Sequence, residues 1–163
     1  MKIKTEDFGV FVIFTAIYAA GTLGMPDLNF QLFQIRPGEI FTPFVAIFGG
    51  PAAVGLALGQ LIASTTSKLG PMEMISPIFA LIGFAFILYL RKLSALAGNI
   101  AYIMITSLWF AYLIVETTNT VFIATLQSTM ICQTISITIG YIAYQIAGKT
   151  IFKEAKLLAQ PEE

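Results

Sequence analysis

Long apolar stretches, separated by short polar connections, dominate this chain. A stretch of about 20 apolar residues is long enough to cross the hydrocarbon core of a membrane as a helix. The pattern predicts six helices and a polar tail, at residues 8–25, 37–49, 52–66, 71–90, 95–115, 121–147 and 148–163. The second and third helices are separated at "FGGP", residues 48–51, because Gly-Gly-Pro favours a turn. We therefore expect an all-α integral membrane protein with one transmembrane domain over residues 1–163.

Composition supports a membrane protein and argues against an enzyme. Charged residues make up 11% of the chain and hydrophobic residues 57%, with a mean hydropathy of +0.84. A soluble domain of this size could not bury that much apolar surface. There is no histidine and one cysteine, Cys132, so the usual His/Cys zinc sites and Ser-His or Cys-His nucleophile pairs are excluded. We expect no catalytic activity and no cofactor.

One short motif suggests nucleotide binding but does not fulfil the pattern. "AGKT", residues 147–150, resembles the end of a phosphate-binding loop. That loop requires a glycine at position 143, where this chain has alanine, and it follows a strand rather than an apolar helix. We therefore expect no ATP binding at this motif.

The distribution of basic residues predicts an orientation. With six spans, the two termini share one side of the membrane, and that side holds Lys2, Lys4, Arg91, Lys92, Lys149, Lys153 and Lys156. The opposite side holds Arg36 and Lys68. Basic residues concentrate in cytoplasmic loops, so we expect a multi-pass protein of the cell membrane with both termini in the cytoplasm. A cleaved signal peptide at residues 8–20 is the alternative, but Glu6 and Asp7 interrupt its positive start.

The stretch "FQIRPGEIFTPF", residues 33–44, places two charges at the entrance of a membrane helix. Pro37 is suited to the first helical position, with Arg36 at the entrance and Glu39 in the first turn. Charges near hydrocarbon are costly and usually face a cavity or a partner. Two interpretations follow from the residues alone: a helix-end salt bridge between Arg36 and Glu39, or the polar end of a ligand pocket.

The same stretch resembles the signature of the QueT family. "FGGPAAVGLALGQLIAS", residues 48–64, is similar to a second family segment, and "YLRKLSALAGNIAYIMITSLWFAYLI", residues 89–114, is similar to its basic loop and fifth helix. The resemblance covers most of residues 8–115. QueT-like proteins are six-helix substrate-binding subunits (S-components) of energy-coupling factor (ECF) transporters, linked to queuosine precursors, which are 7-deazaguanine bases. The resemblance implies docking onto a transmembrane coupling protein driven by two cytoplasmic ATPases.

Given that resemblance, the polar and aromatic residues of one side become candidate ligand contacts. A deazaguanine has a donor edge for a carboxylate, a carbonyl for a donor and a flat ring for an aromatic slot. The candidates are Gln34, Arg36, Glu39, Thr42, Gln60, Trp109, Tyr112, Glu116 and Asn119. Glu116 and Asn119 have a second interpretation, as a solvated loop and the cap of the last helix.

S-components typically dock through small residues on the first helix, spaced as alanine, three residues, alanine. Ala16, Ala20 and Gly24 form such a stripe, although they could also make an internal helix contact. A second small stripe, Gly55, Gly59 and Ala63, predicts tight packing against the second helix.

Two other functions remain open. The chain could be an S-component for another vitamin, such as riboflavin, thiamine or cobalamin. It could also be an assembly subunit of a membrane complex that binds no small molecule.

Overall fold

The computed structural model describes residues 4–25, 35–67 and 69–158. Within these ranges the regular structure is entirely helical. Six helices follow one another: α1 (Thr5–Leu23), α2 (Pro37–Phe48), α3 (Gly50–Ser64), α4 (Pro71–Leu90), α5 (Ala95–Thr118) and α6 (Phe122–Leu158). The last helix continues beyond the end at residue 147 that the sequence predicts, so residues 148–158 of the predicted tail are helical.

Two of these helices begin with a tighter 3₁₀ segment. In α2 it spans Pro37–Phe44, and in α4 it spans Pro71–Ile75. Both segments begin with proline, whose missing N–H is not needed at the first helical position. Within α2, Pro43 cannot donate to a carbonyl of the preceding turn, so the regular α-helical ladder begins only after it, at Val45.

Four helical stretches are long and apolar enough to cross a membrane, namely Thr5–Leu23, Pro71–Leu90, Ala95–Thr118 and Phe122–Gly148. Helices α2 and α3 are shorter, and the 15 residues of α3 extend about 22 Å, against a hydrocarbon core of about 30 Å. Large apolar side chains such as Ile78, Ile100 and Ile131 are exposed around the bundle. Such a surface suits lipid rather than water, so the protein is membrane-embedded.

Glycines bring α3 into close contact with α1. A Cβ atom at Gly55 would lie 2.5 Å from the backbone oxygen of Phe11, and one at Gly59 would lie 2.7 Å from that of Thr15. No larger residue fits at these positions without a backbone shift. The prediction that this stripe packs internally is correct, but the partner is α1 and not the second helix, because α1 runs beside α3 in the same direction.

The turn between α2 and α3 lies at Gly49, whose φ of 73° favours glycine over other residues. At this end of the bundle, Arg91 Nη1 donates to the backbone oxygen of Ala46 at 3.5 Å. We call this the Arg91 end. Helix α6 packs against α2, and a Cβ atom at Gly140 would overlap the backbone oxygen of Ile40.

The buried interior has two apolar clusters. The larger one joins α1 to α6 and includes Phe14, Tyr18, Leu56, Phe84, Tyr102 and Ile137. The smaller one comprises Leu69, Phe110, Leu113 and Ile114, with Trp109 packed against it. Phe110 of this second cluster contacts Arg36, whereas Tyr18 and Tyr102 of the larger cluster contact Glu39.

Candidate functional site

Glu39 is completely buried, and three hydroxyl groups stabilise its carboxylate. Tyr18 from α1 donates to Oε1 at 3.0 Å. Thr42, one turn along α2, donates to Oε2 at 3.0 Å, and Tyr102 from α5 donates to the same oxygen at 2.7 Å. A carboxylate has about four acceptor positions, so three are already used. Glu39 therefore ties α1, α2 and α5 together.

Arg36 pairs with Glu73 rather than with Glu39. Its Nη2 atom lies 2.6 Å from Glu73 Oε1, and both side chains are at most 3% exposed. The helix-end salt bridge between Arg36 and Glu39 that the sequence suggested is therefore not the ion pair that forms. Arg36 and Glu73 are 37 residues apart in sequence, and their pair joins the start of α2 to the start of α4. An ion pair this deeply buried requires good geometry and additional hydrogen bonds.

Additional partners hold Glu73 in place. Ser67, in the connection between α3 and α4, donates its hydroxyl to Oε2 of Glu73. The same hydroxyl oxygen accepts from the backbone N–H of Leu69 at 3.0 Å. The second carboxylate oxygen is thus oriented by the protein independently of Arg36.

The Phe110 ring covers one face of the Arg36 guanidinium, and further aromatic rings stack at the neighbouring residue. The central guanidinium carbon of Arg36 lies 3.8 Å from the centre of the Phe110 ring. The indole ring of Trp109, the residue before Phe110, stacks on the Phe79 ring with centroids 4.1 Å apart and an interplanar angle of 12°. Its N–H donates to the hydroxyl of Ser76 at 2.7 Å. Flat apolar surfaces and fixed charges therefore occur together at this end of the bundle.

Gln60 is a buried residue whose side-chain amide is unsatisfied at both of its polar atoms within the described part of the chain. Its side chain is 1% exposed, and neither its Nε2 nor its Oε1 atom has a hydrogen-bond partner within the described ranges. A buried amide without partners costs free energy of about 1–3 kcal/mol per group. Such a group needs an explanation, and a bound molecule that supplies the missing partner is one. Helix α3, which carries Gln60, packs against the 3₁₀ segments of both α2 and α4.

The structure brings together only part of the predicted set. Arg36, Glu39, Thr42 and Gln60 are buried, and Trp109 is partly buried and packs against the cluster that contains Phe110. Tyr112, Glu116 and Asn119 are exposed, and Tyr112 contacts Trp109 at a centroid distance of 5.9 Å. Asn119 ends α5 in a left-handed conformation, with φ 54° and ψ 32°. Gln34 lies outside the described residues.

Sequence reasoning missed Glu73, Ser67 and Phe110. Glu73 belongs, like Arg36, to the side opposite the termini in the predicted topology, but it is not among the predicted ligand contacts. A charge argument could have found it, because that side has few basic residues and a buried Arg36 requires an anionic partner.

The residues predicted for docking lie on the outside of α1. Ala16, Ala20 and Gly24 are all exposed, whereas Phe14, Tyr18 and Thr22 face the interior. The stripe therefore makes no internal helix contact. Among the four membrane-crossing stretches, α1 is also the least buried.

Comparison with protein families identifies the class of protein. The family model described as QueT transporter matches residues 10–149, which is most of the chain. This chain therefore belongs to the QueT transporter family. Comparison with curated proteins and with solved structures gives no significant match.

Proposed function

We propose that this protein is the substrate-capture subunit of an ECF-type importer, with a 7-deazaguanine base as its ligand. The observation that carries the proposal is a buried polar cluster inside a membrane bundle. Arg36 and Glu73 form an ion pair over Phe110, and Gln60 offers an amide with no protein partner in the described chain. Because the chain belongs to a transporter family, we infer that this cluster binds the transported molecule.

The chemistry of the cluster suits a small planar nitrogen heterocycle. A deazaguanine carries ring and exocyclic N–H donors beside a carbonyl acceptor. Carboxylate and amide groups complement these atoms, and Phe110 and Trp109 provide flat surfaces for the ring. Glu39 and Thr42 belong to the layer beneath, where Glu39 positions α2 by accepting the three hydroxyl hydrogen bonds.

The proposed partners are a transmembrane coupling protein and two cytoplasmic ATPases. Support comes from the exposed stripe of Ala16, Ala20 and Gly24, since small residues allow a second helix to approach closely. Energy would then come from the partner proteins, and the capture subunit would bind its ligand without hydrolysing ATP.

We further propose six spans with both termini in the cytoplasm. Helix α2 reaches the Arg91 end at Gly49, which supports passage of α2 and α3 through the whole bundle. Gly55 contacts Phe11 and Gly59 contacts Thr15, so α1 runs parallel to α3. Since α3 begins at the Arg91 end, α1 begins there too. A Cβ atom added at Gly148 of α6 would lie 4.0 Å from Ile47 Cδ1, which supports a position of Gly148 at the same end.

Cysteine labelling tests this topology. Cys132 is buried and is first replaced by alanine. In whole cells, a membrane-impermeant maleimide should label Val121→Cys and should leave Leu93→Cys unlabelled until the cells are opened; both side chains are exposed. Labelling of Leu93→Cys in intact cells would reverse the orientation.

Ligand binding is tested by equilibrium titration of the purified protein. Trp109 is the single tryptophan and lies beside the cluster, so its fluorescence reports on the site. The protein should bind a 7-deazaguanine base without any energy source, and riboflavin, thiamine and cobalamin should not compete. Tight binding of one of those vitamins would keep the transport role and overturn the substrate. Absence of binding to every compound would favour an assembly subunit.

A further inference from the structure

The guanidinium group of Arg36 makes the two kinds of contact that a planar ligand makes in a binding site, stacking on a ring and hydrogen bonding at one edge. Its guanidinium group lies over the face of Phe110, with the central carbon 3.8 Å from the ring centre. One edge donates to Glu73 through Nη2 at 2.6 Å. The site therefore combines an aromatic face with a carboxylate facing the edge of a planar, N–H-rich group.

A guanine-type base carries the same chemical group. Its ring N–H, exocyclic amine and intervening carbon form a planar N–C–N unit with donors along one edge. That unit can stack on a ring and donate to a carboxylate in the same way as a guanidinium. The two groups differ in charge and in the size of the ring system, but they share a planar stacking face and a row of N–H donors along one edge.

We propose that Glu73 and Phe110 form the recognition site for the guanidine-like edge of the ligand, and that Arg36 is a resident occupant which the ligand displaces. The identity of the ligand rests on the proposed function, but the site itself rests on the geometry of these three side chains. Arg36 thus keeps the buried carboxylate paired when no ligand is bound.

Glu73 suits this role better than Glu39 does. Two tyrosine hydroxyls and Thr42 already occupy both oxygens of Glu39. Glu73 accepts from Ser67 on one oxygen and from Arg36 on the other. If Arg36 moves, Ser67 still orients the carboxylate, and Oε1 becomes available to a ligand donor.

The first test is chemical rescue of Arg36→Ala, measured as the thermal unfolding midpoint in detergent. Millimolar methylguanidinium chloride should raise the midpoint of Arg36→Ala above its value in matched sodium chloride, because the ion refills the site. Wild-type protein should not respond, since Arg36 already fills the site. Arg91→Ala, which removes the other arginine of the sequence, is the matched control. Equal responses of Arg36→Ala and Arg91→Ala would overturn the proposal.

The second test measures the affinity for a 7-deazaguanine base. Arg36→Ala should bind the base about tenfold more tightly or better. In this variant no side chain competes for Glu73 and Phe110, so the ligand does not have to wait for a rare open state. The double variant Arg36→Ala/Glu73→Gln should lose this gain, and it leaves neither member of the Arg36–Glu73 pair as an unpaired buried charge. If Arg36→Ala instead binds more weakly, Arg36 is a direct ligand contact and the displacement is wrong.

A third comparison covers the case in which Arg36→Ala fails to fold. In the otherwise native chain, Glu73→Gln should weaken deazaguanine binding by about 10- to 150-fold, whereas Glu39→Gln should mainly lower stability. The reverse order would overturn the proposal. If methylguanidinium rescues Arg36→Ala but no variant binds a deazaguanine, the recognition site stands and the proposed substrate class fails.

Discussion

The hydrogen bond from Tyr102 to Glu39 gives a sharp prediction about stability. Tyr102→Phe removes the hydroxyl that donates to Oε2 at 2.7 Å and keeps the ring that stacks on Phe84 at 4.9 Å. A hydrogen bond to a charged group contributes about 1.5–3 kcal/mol. For a chain of this size, about 2–4 °C of unfolding midpoint corresponds to each kcal/mol. The variant should therefore unfold about 3–12 °C below wild type.

Thermal unfolding in detergent, followed by the fluorescence of Trp109, measures this shift. Tyr89→Phe is the matched control, because Tyr89 is 78% exposed and surface substitutions usually change stability by less than about 0.5 kcal/mol. If Tyr102→Phe shifts the midpoint no more than Tyr89→Phe does, the buried carboxylate is not held by this hydroxyl.

A double variant strengthens the test. Thr42 donates to the same oxygen as Tyr102, so Thr42→Val removes the second donor to Oε2. Residues that share a partner are coupled by about 0.5–3 kcal/mol. Tyr102→Phe/Thr42→Val should therefore cost more than the sum of the single changes, because Oε2 then has no hydroxyl donor. Strict additivity would show that the two hydroxyls act independently.

Two further predictions concern helix packing and docking. Gly140→Ala should destabilise the protein by about 1–3 kcal/mol, because the added methyl would overlap the backbone oxygen of Ile40, whereas Gly148→Ala on the same helix should be tolerated. Equal midpoints for the two variants would contradict the close contact. Ala16→Trp should preserve ligand binding and abolish uptake in cells that contain the coupling proteins, while the exposed Ala85→Trp on α4 should preserve both. Normal uptake by Ala16→Trp would place the docking surface elsewhere.

The helical, membrane-embedded character of the chain could be predicted because it depends on local properties. Hydropathy over about 20 residues reports burial in lipid directly. Packing partners could not be read in this way. Gly55 and Gly59 form a small-residue stripe like that of α1, yet α3 packs its stripe against Phe11 and Thr15, while Ala16 and Ala20 remain exposed. Spacing alone does not distinguish these two outcomes.

For the candidate site, too, local sequence features indicated one part and tertiary packing determined the rest. The neighbouring charges Arg36 and Glu39 drew attention to a stretch whose charged side chains are buried in the structure, because charges are rare beside apolar helices. Their partners come from distant segments: Glu73 lies 37 residues from Arg36, and Tyr102 lies 63 residues from Glu39. Pairing across the bundle depends on tertiary structure, which a local pattern does not encode.

The most direct test of substrate capture is mass spectrometry of small molecules released from gently purified protein. Wild-type protein should release a 7-deazaguanine base, and Glu73→Gln, purified in parallel, should release little or none. An empty wild-type protein, or equal amounts of the base from both proteins, would contradict capture of this ligand at the Arg36–Glu73 cluster.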